Sequence, residues 1–317
     1  MTCPAGDSGG SGRPGRHMLN YKGWPGEELQ DLVHLAQRVK GAPQRYYDTL
    51  AHRTLTMLFQ KTSTRTRLSF EAGMTELGGH AVFLDWRASN FVLAEVADEA
   101  RYLTRNCHGI MARLLKFSDL AEISRVSTVP VINGCCDKYH PCQGLADLLT
   151  VYERFGRFDG VHLVYLGVHN NVANSLIEGG TKVGLRVTTV TPIQNPPSLD
   201  EELLAEARAT GLWTSTLDIR SAVKDADVVY TDSWIDMESF LDPEFEEEKK
   251  RRLAALLPYQ LNGDLLRGSR ALIMHDMPVH AGYEITREMI ESDRAVIFQQ
   301  AENRMHAQKA LLLRLLA

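Results

Sequence analysis

The sequence predicts an α/β fold of two doubly wound, parallel-sheet domains. Three observations lead there. Short apolar runs alternate with amphipathic stretches along both halves, polar clusters sit just past most of those runs, and 317 residues with 44% hydrophobic content suffice for two buried cores.

Residues 1–18 (MTCPAGDSGGSGRPGRHM) are rich in Gly, Pro and Ser and read as a disordered tail or tag. Strands are then expected near Thr54–Phe59, Ala81–Leu84, Gly109–Ala112 and Val129–Ile132, separated by helices near Ser63–Leu77, Val92–Thr104 and Ser118–Ser124. In the first of these helices Leu68, Phe70, Met74 and Leu77 form the apolar stripe, and Gly78 and Gly79 close it. A long helix near Pro141–Phe155 leads to further strands near Leu163–Leu166, Arg186–Val190, Trp213–Thr216, Val228–Tyr230, Ala271–Met274 and Ala295–Phe298. The charge run Glu244–Arg252 reads as a solvated helix with i,i+4 pairs. The last run, AENRMHAQKALLLRLLA, is a strong helix former whose apolar stripe needs a surface to cover. The expected organisation is a first domain over 19–150, a second over 151–299, and a C-terminal helix over 300–317 that returns to the first.

Composition narrows the function. A net charge of −5 with scattered basic residues argues against a nucleic-acid partner. No stretch has the apolar length of a membrane span and the N-terminus has no signal-peptide core, so a cytoplasmic protein is expected. The five cysteines form no CxxC pair, which fits neither a disulfide framework nor a thiolate zinc site. Cys142, two residues from His140, reads as a small packed thiol at a helix start rather than a nucleophile.

The most informative segment follows the first strand. Residues 61–67 (KTSTRTR) place four hydroxyls and three cations at a strand-to-helix junction. There the unpaired N–H groups and the helix dipole favour an anion, Ser63, Thr64 and Thr66 add hydroxyl donors, and Arg65, Arg67 and Lys61 add charge. No GxxxxGK is present, so the site is not a Walker loop. Other polar clusters follow later strands: Arg113, Asn133–Gln143, Gly167–Asn171, Asp232–Glu238 and His275–His280. In parallel α/β sheets ligands bind beyond the carboxyl ends of the strands, so clusters from two domains are expected to converge on one cleft.

Together S-T-R-T-R at Ser63–Arg67, H-P-C-Q at His140–Gln143, D-x-W with a Met three residues on at Asp232–Met237, Asn170-Asn171 and AENRMHAQKA at Ala301–Ala310 resemble the transcarbamylases, most closely the ornithine carbamoyltransferase branch. The resemblance runs from about Tyr21 to the C-terminus. It implies transfer of a carbamoyl group from carbamoyl phosphate to an amine without metal or organic cofactor, in a homotrimer with active sites between subunits. By the same resemblance Ser63, Thr64, Arg65, Thr66 and Arg304 hold the phosphate, and Lys61 takes the family's lysine position. Arg113, His140 and Thr66 surround the carbonyl oxygen, and Gln143 orients the carbamoyl NH2. Asn171, Asp232, Asp236, Met237, Asp276 and Met277 bind the acceptor, which is ornithine or a related diamino compound of amino-acid metabolism and arginine biosynthesis.

Departures accompany the likeness. The family's H-C-L-P is His275-Asp276-Met277-Pro278 here, and its S-M-G is Asp236-Met237-Glu238. Asn90 stands where the family places a histidine lent by a neighbouring subunit. No long proline-rich insertion follows the start of the second sheet, so the knotted topology of the acylornithine branches is not expected. Two alternatives remain at this level. One is a non-catalytic paralogue that binds carbamoyl phosphate; the other is a metallohydrolase in which His275, Asp276 and His280 chelate a divalent ion.

Overall fold

The computed structural model describes residues 16–235, 240 and 242–317. Nine strands alternate with helices and lie in two wholly parallel sheets. The strands are β1 Thr54–Phe59, β2 His80–Asp85, β3 Gly109–Arg113, β4 Val131–Cys135, β5 His162–His169, β6 Arg186–Gln194, β7 Trp213–Ser215, β8 Val228–Thr231 and β9 Leu272–His275. The first sheet has the order β2-β1-β3-β4 and the second β7-β6-β5-β8-β9, so β1 and β5, the first strand of each sheet, lie inside it.

The helices are α1 Gly26–Gly41, α2 Thr64–Glu76, α3 Val96–Asn106, α4 Phe117–Val126, α5 Pro141–Phe155, α6 Asn171–Val183, α7 Glu201–Ala209, α8 Ile219–Lys224, α9 Glu246–Leu256, α10 Arg287–Ile290 and α11 Ile297–Leu316. Helix α5 leaves the first sheet with Pro141 in its opening turn, where the missing N–H costs no hydrogen bond, and stops at Gly156, whose φ of 69° suits a residue without Cβ. It is buried along most of its length and packs against α1, α6 and α11. Leu145 and Leu148 on α5, Leu176 on α6 and Leu311 on α11 belong to one hydrophobic core shared by both lobes. That shared core fixes the two sheets around a common cleft.

Several expected elements differ in the structure. Helix α1 was not anticipated, although Leu29, Leu32, Val33, Ala36 and Val39 are buried at helical spacing. The strand expected at Ala295–Phe298 is a single bridge between Ala295 and Ile273, after which the chain turns into α11. A four-residue apolar run suits either structure, and here the long helix claims it. Leu68 is 64% exposed, so the stripe of α2 consists of Phe70, Met74 and Leu77 without it. Of the residues expected in the tail, 1–15 lie outside the described residues, whereas His17 Nδ1 accepts from Val131 N at 3.0 Å and Met18 is fully buried beside Ile132. The C-terminal helix does return to the first lobe, where it lies on α1 and α2.

Candidate active site

The cleft forms where β1, β3 and β4 of the first lobe and β5, β8 and β9 of the second reach their carboxyl ends. Its titratable lining comprises Lys61, Arg65, Arg113, His140 and Arg304 together with Asp232 and Asp276.

Ser63 caps α2: its backbone is extended and its Oγ accepts from Thr66 N at 3.2 Å. The 100° advance per residue then sorts the cluster. Lys61, Ser63 and Arg65 line the cleft. Thr66 points inward and accepts from Arg304 Nη2 at 2.9 Å. Thr64 and Arg67 line an adjoining hollow with Phe59, Phe83 and Arg87, which shares Lys61 and Ser63 with the cleft. Arg67 is occupied there, 2.9 Å from Glu71 and stacked 3.8 Å from the centre of the Phe83 ring. Three guanidinium Nε–H groups, on Arg65, Arg113 and Arg304, are buried without an acceptor among the described residues. Buried donors of this kind call for an oxyanion. Burial lowers the guanidinium pKa of Arg65 and Arg304, while the charge of Asp276 opposes that shift.

His140 lies just before α5, and its backbone N–H donates to Ser175 Oγ at 2.8 Å. Its imidazole is held well below the ordinary histidine range, first by burial and then by Arg304, Arg113, Lys61 and Arg65. It is therefore neutral at physiological pH, and its Nδ1 meets no protein partner. One turn on, Gln143 is fully buried, with its Nε2 donating to Asp147 at 2.8 Å.

The opposite wall is acidic and polar. Asn170 caps α6, accepting from Val172 N and Ala173 N, and its Nδ2 donates to Asp232 at 2.6 Å. Asn171 Nδ2 reaches across to Cys136 O at 2.6 Å and Cys135 Sγ at 3.3 Å, so this amide ties the two lobes together. The carboxyls of Asp232 and Asp276 approach within 4.8 Å; burial, followed by the charge of Asp276, pushes Asp232 well up, and burial also raises Asp276. Asp276 Oδ1 has no hydrogen-bond partner among the described residues. Met277 and Pro278 complete this wall, with Met277 at a positive φ of 63° and its N–H donating to His275 Nδ1 at 2.8 Å.

Asp236 and Met237 lie outside the described residues. Asn90 is exposed on a short 3-10 turn and does not line the cleft of its own chain. Cys142 is fully buried and its thiol is pushed up to about 12, which removes it as a nucleophile. The chelating trio His275, Asp276 and His280 does not assemble. Among the described residues the converging group is Asp232, His275 and Asp276, whose ligand atoms lie within 4.8 Å of one another. His275 has both ring nitrogens engaged, one by Met277 N and one 3.1 Å from Glu284, while His280 stacks 4.3 Å from the Phe240 ring. Cys135, Ser233 and Ile235 also line the cleft and have no individual signal in the sequence, whereas Asn170, part of the Asn170-Asn171 motif, lines it as the cap of α6.

An anion-binding helix start facing a carboxylate wall, between two parallel-sheet lobes, defines a two-domain α/β transferase. Comparison with known proteins makes the class specific. Residues 16–153 match the aspartate/ornithine carbamoyltransferase carbamoyl-P binding domain, and residues 159–315 match the Asp/Orn binding domain of the same family. The chain is 42% identical over 309 residues to the ornithine carbamoyltransferase of Archaeoglobus fulgidus, covering 95% of this chain and 97% of that one. It is 46% identical over 294 residues to that of Haloquadratum walsbyi, covering 92% and 94%. The solved ornithine carbamoyltransferase of Pyrococcus furiosus superposes with a TM-score of 0.87 at 40% identity, over 95% of this chain and 97% of that one. The chain belongs to the aspartate/ornithine carbamoyltransferase family.

Proposed function

We propose that this enzyme transfers the carbamoyl group of carbamoyl phosphate to the side-chain amine of ornithine or a related diamino compound, releasing phosphate. The observation that carries this reading is the single cleft in which Lys61, Arg65, Arg113 and Arg304 face Asp232 and Asp276. One wall suits a dianionic donor and the other an ammonium-bearing acceptor.

In this reading Ser63, Arg65, Thr66 and Arg304 hold the phosphate, with Lys61 beside them and Thr64, in the adjoining hollow, outside the contact. Arg113, His140 and Thr66 surround the carbonyl oxygen, and Gln143 meets the carbamoyl NH2. The acceptor occupies the wall of Asn171, Asp232, Asp276 and Met277, with Asp236 and Met237 joining it. Attack of the neutral amine on the carbonyl carbon places negative charge on the carbonyl oxygen. Preorganised donors stabilise that charge better than reorganising water does. Because His140 is neutral, it serves as a hydrogen-bond donor there and leaves the positive charge to Arg113. As the C–O bond to phosphate breaks, the departing phosphate takes up the surplus proton of the attacking nitrogen, Arg65 and Arg304 neutralise the leaving group, and holding both substrates together supplies much of the remaining rate.

The reading extends to assembly and organisation. A donor domain over 19–150, completed by the C-terminal helix, and an acceptor domain over 151–299 would form a cytoplasmic homotrimer serving arginine biosynthesis, each subunit lending the loop around Asn90 to its neighbour. Support comes from the exposed apolar side chains Leu68, Val82, Val92 and Leu93, on α2, the edge strand β2 and the loop after it. The test is a steady-state assay of ureido product and phosphate with carbamoyl phosphate and ornithine. Stoichiometric formation of both supports the reading; phosphate release that no amine accelerates overturns it.

A further inference from the structure

Behind the cleft lies a buried acid with no role in the chemistry above. Asp147 on α5 is fully buried, and its Oδ1 accepts from Gln143 Nε2 at 2.8 Å and from Gln300 Nε2 at 2.7 Å. Tyr230 donates its hydroxyl to Oδ2 at 3.3 Å. Gln300 in turn accepts from His275 N at 2.9 Å, one residue before Asp276. Donor-side helix α5, the C-terminal helix and the acceptor-side end of β9 are thus joined through one carboxylate.

An amide can face either way, but a carboxylate can only accept. Asp147 therefore forces the NH2 of Gln143 toward itself and turns the Gln143 oxygen to the other side. That oxygen is buried and meets no protein donor. A buried acceptor left unpaired is costly, so the site rewards a ligand that brings an N–H.

We propose that Asp147 is a positioning residue that locks Gln143 with its oxygen available to the donor's NH2, and thereby selects a carbamoyl phosphate over an acyl phosphate of the same shape. The proposal rests on the reading above, in which Gln143 meets that NH2. Acetyl phosphate, with a methyl group at that position, leaves the oxygen unpaired. Three donors favour the carboxylate form of Asp147, and Arg304 on α11 adds to them. Burial works against them and pushes the carboxyl up to about 7. The other titratable groups facing it are Tyr230 on β8, Tyr165 on β5, Asp276 after β9 and Tyr21. Once protonated, Asp147 can donate to the Gln143 oxygen and the amide is free to reverse.

Dissociation constants for carbamoyl phosphate, acetyl phosphate and inorganic phosphate, measured by calorimetry on the wild-type protein and on Asp147→Leu, which keeps the shape but cannot accept, test this. The wild type should prefer carbamoyl to acetyl phosphate, and Asp147→Leu should shrink that preference by about tenfold, the worth of one buried hydrogen bond, while inorganic phosphate binds as before. A parallel loss for all three ligands marks a merely structural residue and overturns the proposal, as does an unchanged preference. Should the variant not fold, the wild type decides alone. Its preference for carbamoyl phosphate should fall between about pH 8.5 and about pH 6 as Asp147 takes up its proton, and a flat preference overturns the proposal. Failure of the wild type to bind carbamoyl phosphate at all overturns the functional reading and this proposal with it.

Discussion

Arg304 Nη2 donates to Thr66 Oγ1 at 2.9 Å, a contact between residues 238 apart in sequence that pins the C-terminal helix to the first turn of α2. Both side chains are buried, and Arg304 Nε remains without a protein acceptor at the rim of the same cleft. The last helix therefore completes the anion site as well as covering the first lobe. Arg304→Lys keeps the charge but loses the planar fork, and should lower kcat/KM by roughly 10- to 100-fold, consistent with one charge-assisted hydrogen bond. Steady-state kinetics with folding checked by circular dichroism measures it.

Glu178 supplies a test in pH. Its carboxylate accepts from Tyr21 N at 2.9 Å, yet burial, the larger effect, raises its pKa to about 7. A carboxyl raised on folding binds its proton more tightly in the native state. Its contribution to stability is full below the unfolded value of about 4.5 and is lost as pH rises through about 7. Glu178→Gln keeps an acceptor for Tyr21 N and removes the titration. Relative to the wild type it should gain roughly 3 kcal/mol between about pH 4.5 and about pH 8. Urea unfolding at the two pH values measures the difference.

The acceptor wall carries a carboxylate at Asp276 where the family pattern has a thiol. Two neighbouring carboxyls, buried Asp232 and partly buried Asp276, favour an acceptor that delivers cationic charge at that depth. Rates for ornithine, lysine, 2,3-diaminopropionate, putrescine and a guanidino amino acid, compared between the wild type and Asp276→Cys, should rank differently. An unchanged ranking with ornithine far ahead would show that Asp276 does not set selectivity.

The exposed Leu68 and Leu93, at 64% and 83%, lie on the face expected to join subunits. Light scattering should report a trimer, and Leu93→Asp should shift it toward monomer with loss of activity. A monomer that keeps full specific activity on dilution contradicts the shared site.

Much of this was legible in the sequence because the anion site is nearly contiguous: residues 61–67 carry the cap, the hydroxyls and most of the charge. Their division between two faces of α2 was not legible, and Thr64 and Arg67 fall outside the main cleft for that reason. Helix α1 has a regular apolar spacing but no strong start signal, and the run at Ala295–Phe298 is ambiguous because four apolar residues cannot distinguish a strand from a helix start. Asp147 reads in sequence as an ordinary helical acid. Its role becomes visible only when Gln300, distant by 153 residues, arrives on the same oxygen. Asn171 likewise gives no sequence sign that its amide nitrogen also bridges the lobes, donating to Cys136 O across the cleft.

The central claim is that Arg65, Arg113 and Arg304 form a carbamoyl-phosphate site, and calorimetric titration of the intact protein with carbamoyl phosphate tests it most directly. Saturable binding well below about 1 mM, weakened by roughly 10- to 100-fold in Arg65→Ala, is the result expected from losing a charged hydrogen-bond partner. No heat of binding at millimolar ligand, or equal binding by Arg65→Ala, would contradict it.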